Sequence, residues 1–120
     1  MATTVVVVDD HPSFRGFARR LLQAAGFSVV DEAEDGASAL AAVQEHRPDV
    51  VLLDVLLPDT TGFELADRFA EGPHGPVVVL TSSRSATDFG GSLARSSARG
   101  FIAKSDLTGA AFAALVGDPA

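Results

Sequence analysis

Apolar residues fall along this chain in short unbroken runs, each closed by a polar residue and followed by a segment of helical spacing. Val5-Val6-Val7-Val8, Val50-Val51-Leu52-Leu53 and Val77-Val78-Val79-Leu80 are the clearest runs. Four apolar residues without a polar interruption suit a strand buried on both faces, and valine suits pleated backbone. Phe27 to Ala33 reads as a second strand and Gly100-Phe101-Ile102-Ala103 as a short fifth. Between the runs the period changes. Phe14, Phe17, Ala18, Leu21 and Leu22 recur at helical spacing after His11-Pro12, and Gly26 closes that helix. Asp35-Gly36 turns into a helix over Ala37 to His46, with Leu40 and Val43 facing inward, and Arg47-Pro48 breaks it. Phe63 to Ala70 predicts a third helix with Phe63, Leu65, Ala66 and Phe69 as its apolar positions. A fourth, over Ala86 to Ser96, carries Gly90-Gly91 in its middle, at about 1 kcal/mol per glycine relative to alanine. Leu107 to Val116 predicts a short last helix. Five such alternations imply an α/β fold, a parallel sheet covered on both faces.

Composition narrows the classes. The chain has 120 residues, which suits one domain over 1–120, and its 47% hydrophobic content supports a packed core. It has no cysteine, so neither a disulfide framework nor thiolate chemistry is available. No apolar run approaches the roughly 20 residues a bilayer requires, and Met1-Ala2-Thr3-Thr4 lacks the basic start of a signal peptide. The expected location is therefore cytoplasmic, without membrane insertion. A net charge of −7 opposes direct nucleic-acid binding through phosphates. The cations are unevenly chosen. Eight are arginine, and Lys104 is the only lysine. An ammonium is a compact point charge where guanidinium is a planar fork, so position 104 is expected to need a primary amine.

The polar residues that close the strands carry the chemistry. Asp9-Asp10 ends the first strand, Asp54 the third, Thr81 the fourth and Lys104 the fifth. In an open parallel sheet, ligands bind outside the carboxyl ends of the strands. All five residues therefore meet at one edge. Taken singly, an aspartate after a strand is usually a cap or turn residue, and a threonine there is a β-former. Together they make a different pattern. Three carboxylates repel one another unless a hard cation neutralises them, and Mg²⁺ takes few carboxylates while leaving room for a phosphate. A lone ammonium and a hydroxyl across from it provide a point charge and a donor for phosphoryl oxygens. The reaction implied is attack by Asp54 on phosphorus to give an acyl phosphate.

Asp9-Asp10-His11-Pro12, Leu52-Leu53-Asp54-Val55-Leu56-Leu57-Pro58 with Gly62, Leu80-Thr81-Ser82 and Gly100-Phe101-Ile102-Ala103-Lys104 resemble the signatures of response-regulator receiver domains over nearly the whole chain. The resemblance implies a flavodoxin-like, doubly wound (βα)5 sheet in the order 2-1-3-4-5, with helices 1 and 5 on one face and 2, 3 and 4 on the other. It implies Asp54 as phosphoacceptor and Asp10 as direct Mg²⁺ ligand. Asp9 would act through water, and the Leu56 carbonyl would complete the set. Lys104 is expected to pair with phosphoryl oxygens, and Thr81 and Phe101 to move together as the switch. Leu56 and Ser83 occupy the positions that tune hydrolysis. Implied partners are a sensor histidine kinase or a histidine phosphotransfer protein and a downstream protein. The resemblance leaves open a phosphorylation-dependent homodimer. The start of the chain is most similar to receivers that carry a helix-turn-helix output domain, yet the sequence predicts a stand-alone domain that is not an enzyme in the ordinary sense.

The chain departs from the family pattern in places. Ser105 stands where proline often follows the lysine, which puts a cis bond there in doubt, and Phe101 lacks a tyrosine hydroxyl. Leu57 replaces a frequent methionine before Pro58, a change that conserves volume. Three rival readings remain. An aspartyl-phosphate phosphatase of the haloacid-dehalogenase type needs a second acid two residues after its nucleophile, and here Pro12 follows Asp10 at that spacing. A pseudo-receiver binding module would not need the complete acid set. Flavin binding would need a Ser/Thr/Gly-rich cradle after the first strand. His11, His46 and His74 have no metal-ligand spacing and are expected at the surface.

Overall fold

The valine runs form the centre of a five-stranded parallel sheet in the order 2-1-3-4-5. The computed structural model describes residues 2–119. The order of elements is β1 (Thr4–Val8), α1 (Pro12–Ala24), β2 (Ser28–Ala33), α2 (Gly36–His46), β3 (Val50–Asp54) and α3 (Gly62–Ala70). Then come β4 (Val77–Ser82), α4 (Ser92–Arg95), β5 (Gly100–Ala103) and α5 (Gly109–Val116). This is the flavodoxin-like arrangement expected from the sequence.

Successive side chains of a strand point to opposite faces, so each apolar run feeds two cores. Val6, Val8, Val51 and Leu53 pack with Ala39, Ala42, Leu65 and Phe69 under α2 and α3. Val5, Val7, Val50 and Leu52 pack with Ala18, Leu22 and Phe112 under α1 and α5. Burying a leucine or valine in this way contributes roughly 1.5–3 kcal/mol relative to leaving it in water. Hence no polar residue is tolerated within these runs.

The register positions the strand ends. Val8 lies beside Leu53 across β1 and β3, which places Asp9 next to Asp54. Asp54 itself lies beside Thr81 across β3 and β4. Ser82 lies beside Ala103 across β4 and β5, so Lys104 leaves the sheet at the same edge. Gly62 allows α3 to start directly against β3. A Cβ there would stand 2.7 Å from the backbone oxygen of Asp54.

Two expectations change. The predicted fourth helix over Ala86 to Ser96 is not continuous. It splits into a 3₁₀ turn over Ala86–Phe89 and the single turn of α4, and Gly90 between them has φ 55°. Such a backbone is cheap for glycine, so the two glycines break the helix rather than merely weaken it. In α2, Leu40 and Val43 face inward as expected and pack against the core, and Ala39 and Ala42 are buried more deeply beside them. Small residues let this helix sit close to the sheet. The last helix begins at Gly109 rather than Leu107, because the Thr108 side chain accepts a hydrogen bond from the Ala111 amide at 3.0 Å and caps it. Among the described residues there is no cis peptide bond, the one at Lys104-Ser105 included.

Candidate functional site

At the carboxyl edge of the sheet the backbone turns away and leaves side chains to close a polar pocket. Asp54 ends β3 with its carboxylate almost wholly buried, 5% exposed as a residue. Its Oδ1 accepts from the Leu56 amide at 3.3 Å, and its Oδ2 accepts from Lys104 Nζ at 3.3 Å. Asp9 is fully buried beside it. Lys104 Nζ stands 2.6 Å from Asp9 Oδ2, close enough for an ion pair though off the hydrogen-bonding direction. One ammonium therefore bridges two buried carboxylates, and it sits nearer to Asp9.

Asp10 is more open, with its side chain 36% exposed. Its Oδ1 lies 3.0 Å from His11 Nδ1, and the same ring nitrogen lies 3.0 Å from Asp9 Oδ1. Asp9 Oδ1 also accepts the His11 backbone amide at 2.8 Å. His11 is exposed, as expected, yet its ring also ties the two adjacent acids together. The only hint in the sequence was its place between the acids and Pro12, which starts α1. Arg15, one turn further on, donates to the Asp9 carbonyl at 2.7 Å and reaches Glu32 at 3.3 Å, pinning the end of β1 to β2.

Thr81 is fully buried, and its Oγ1 finds no hydrogen-bond partner among the described residues. An unsatisfied buried hydroxyl costs about 1–3 kcal/mol, so this orphan points to a group that the pocket is built to receive. Phe101, in β5, is partly buried and meets Phe89 edge-on at 5.9 Å between ring centroids, and Phe89 meets Phe63 at 5.8 Å. The expected switch aromatic is therefore the end of a row of three rings that runs to α3. Leu56 is 48% exposed at the lip of the pocket, and Ser83 is exposed just beyond β4.

The loop after Asp54 is held from a direction that the sequence did not suggest. Asp59 accepts the Gly36 and Ala37 amides at 2.7 and 3.1 Å, capping the start of α2 from outside. Thr61 accepts the Glu64 amide at 3.2 Å and caps α3. These caps tie the loop that follows Asp54 to the starts of α2 and α3.

The electrostatics follow from burial. Removal from water, followed by repulsion from Asp9, pushes the Asp54 carboxyl up to about 6, against the opposing pull of Lys104 and the Leu56 amide. For Lys104, burial would favour the neutral amine, but its contacts with Asp9 and Asp54 outweigh that and hold its ammonium above the ordinary lysine range. The Asp54 shift has a sign for stability. Its folded value lies above the unfolded 3.8, so the folded chain binds that proton more tightly. The advantage is complete below 3.8 and is lost as pH rises through about 6. In chelator, denaturant titrations should show stability falling over this window by about 1–3 kcal/mol from this group. Asp54→Asn should flatten that fall. An unchanged slope in the variant would assign the pH dependence elsewhere.

One ligand atom each from Asp9, Asp10, His11 and Asp54 lies within 4.8 Å of the others. Three carboxylates against one ammonium leave the pocket net negative, and a hard divalent cation fits this donor set.

The model of the response regulator receiver domain family matches residues 5–110. The chain belongs to that family. It is 41% identical over 86 residues to the probable transcriptional regulatory protein TcrX of Mycobacterium tuberculosis, covering 71% of this chain and 36% of that protein. It is 37% identical over 84 residues to protein-glutamate methylesterase/protein-glutamine glutaminase 3 of Hahella chejuensis, covering 70% of this chain and 24% of that one. The chain thus spans roughly a quarter to a third of these curated relatives. Among solved structures it resembles the chemotaxis response regulator CheY4 of Vibrio cholerae, at 28% identity and TM-score 0.79 over 92% of each chain. A two-component response regulator of the LuxR family from Aurantimonas sp. SI85-9A1 is 27% identical with TM-score 0.83, covering 99% of this chain and 89% of that one. The family sets aside the phosphatase and flavin readings. Among the described residues no helix is long and apolar enough to cross a membrane.

Proposed function

We propose that this receiver domain takes a phosphoryl group onto Asp54 from a phosphohistidine of a sensor kinase or phosphotransfer protein. It then signals by presenting an altered surface to a downstream protein. The observation that carries the reading is the Thr81 hydroxyl, buried and without a partner among the described residues, at the strand position paired with Asp54, whose carboxylate accepts from Lys104. An Asp54 oxygen attacks phosphorus, an O–P bond forms and the P–N bond breaks. The imidazole nitrogen keeps the bonding pair and leaves as a neutral ring when its other nitrogen carries a proton. Thr81 Oγ1 donates to one phosphoryl oxygen and Lys104 to another, so charge developing on the group meets donors already in place. Asp10, Asp54 and the Leu56 carbonyl would hold Mg²⁺, with Asp9 acting through water. When bound, the ion offsets the crowding of the carboxylates and the charge of the phosphoryl group.

The assignment of Asp10 over Asp9 has support in the contacts. Both Asp9 oxygens are already approached, one by His11 and one by Lys104. Among the described residues the Asp10 carboxylate pairs only with His11, and it is open to solvent. Asp10→Ala is therefore expected to weaken Mg²⁺ binding, read by calorimetry, more than Asp9→Ala does. Equal losses would contradict the assignment. The function itself is tested by label transfer from a phosphohistidine donor with and without chelator. Transfer that needs the divalent ion supports the reading, and transfer undiminished in chelator overturns the role of the acids.

The lifetime of the acyl phosphate follows from the lip of the pocket. A hydrolytic water must approach opposite the Asp54 oxygen, past Leu56 and Ser83. Leucine offers that water no hydrogen bond, and serine is a short, weak acceptor. Loss of label from the purified phosphoprotein is expected to be slow. Leu56→Asn with Ser83→Glu should speed it by roughly ten-fold or more, by holding the water and accepting its proton. No acceleration would remove both residues from that role.

A further inference from the structure

The ammonium of Lys104 has a third neighbour besides Asp9 and Asp54. Phe14, in the first turn of α1, presents its ring with the centroid 4.6 Å from Lys104 Nζ. The lysine side chain is only 15% exposed, so this contact is largely shielded from water. Phe14 is itself seated, packing against the core under α1 and α5 and meeting Phe17 at 6.1 Å between centroids.

We propose that Phe14 is a positioning residue for phosphoryl transfer, its π-face keeping the Lys104 ammonium within reach of Asp54. The proposal rests on the function given to Lys104 above. Lysine is a flexible stem, and the nearer of its two acids is Asp9, at 2.6 Å against 3.3 Å for Asp54. Two carboxylates alone leave the ammonium free to settle on Asp9, away from the phosphoryl group. A third anchor is needed, and its chemistry is restricted. Another acid would neutralise the charge that the phosphoryl oxygen must meet. An aliphatic side chain would bury the charge without attracting it, which disfavours the cation. An aromatic face attracts the cation through its quadrupole and leaves the charge available. Its place, four residues after Asp10, ties the acid pair and the lysine to one helix start.

The sequence supplies a clean probe, because Lys104 is the only lysine. In protein labelled with [¹³C]lysine, the ε-methylene of Lys104 gives a single signal. It should be shifted upfield by the Phe14 ring current in metal-free, unphosphorylated protein, and Phe14→Leu should lose the shift. The rate of phosphorylation by phosphoramidate with Mg²⁺ is then read across a series with 4-fluoro-, 3,5-difluoro- and pentafluorophenylalanine at position 14. Shape changes little along the series while the quadrupole weakens and reverses. The rate is expected to fall stepwise, by roughly three- to ten-fold in all, with Phe14→Tyr staying near wild type. Thermal unfolding of each variant identifies any that fails to fold, and those that melt with the wild type decide the question. A rate indifferent to fluorination, or an ε-methylene without the upfield shift, overturns the proposal. The shift requires no phosphodonor, so its absence while Asp54 still takes label fails this inference alone. A shift that is present while Asp54→Asn still takes label fails the proposed function instead.

Discussion

Asp54→Asn is expected to incorporate no phosphoryl group from any donor. An amide is no nucleophile at phosphorus, and the neighbouring acids cannot replace the carboxylate. Asp9 is fully buried, with Lys104 on one oxygen and the His11 amide on the other. Asp10 has access to solvent but does not share the floor formed by the Leu56 amide and Lys104. The loss should be total within detection, roughly a hundred-fold or more. The variant should nonetheless be folded and at least as stable at neutral pH in chelator. Asparagine carries no charge to repel Asp9, and that repulsion, after burial, is what raises the Asp54 carboxyl to about 6. Label retained on the variant, stable to acid as phosphoserine or phosphothreonine would be, would move the site to another residue.

Lys104 is expected to show the second large effect, and to distinguish charge from shape. Lys104→Met leaves Asp9 and Asp54 buried without their shared cation. The Asp54 carboxyl should rise further, and phosphorylation by a small donor at neutral pH should fall by roughly a hundred-fold, the scale of losing one preorganised donor to developing charge. Lys104→Arg keeps the charge but not the fit. The ammonium occupies a niche bounded by Asp9 at 2.6 Å, Asp54 at 3.3 Å and the Phe14 ring at 4.6 Å. A planar guanidinium is larger and aims its donors as a fork. Phosphorylation should persist in part, while the amide signals of Thr81 and Phe101 no longer shift on phosphorylation. Wild-type shifts in Lys104→Arg would show that charge alone suffices, and the single lysine would then carry no meaning.

Much of this was legible before the structure, for physical reasons that also set the limits. Runs such as Val5 to Val8 announce strands covered on both faces, because only doubly covered strands tolerate four apolar residues in sequence. The polar residues that close them must then meet at one edge, so Asp9, Asp10, Asp54, Thr81 and Lys104 converge from topology alone. What escaped depends on contacts between residues remote in the chain, or on backbone geometry that residue spacing does not encode. Asp59 lies in the loop after β3, yet it caps α2, more than twenty residues away in the chain. His11 had no ligand spacing, yet the turn into Pro12 folds its ring onto Asp9 and Asp10. On α2 the spacing places Leu40 and Val43 against the core, but it does not show that Ala39 and Ala42 lie deeper, because small side chains let the helix approach the sheet. Gly90-Gly91 reads by residue type as a weakness in one helix, but the positive φ of Gly90 lets the chain break there instead.

The most direct measurement locates the phosphoryl bond. Protein phosphorylated by a phosphohistidine donor is treated at once with borohydride, which reduces an aspartyl phosphate to homoserine, and the digest is read by tandem mass spectrometry. The account predicts homoserine at position 54 and at no other aspartate. Its appearance at position 9 or 10, or a phosphoprotein that yields none while keeping its label, would contradict the assignment of Asp54 as the phosphoacceptor.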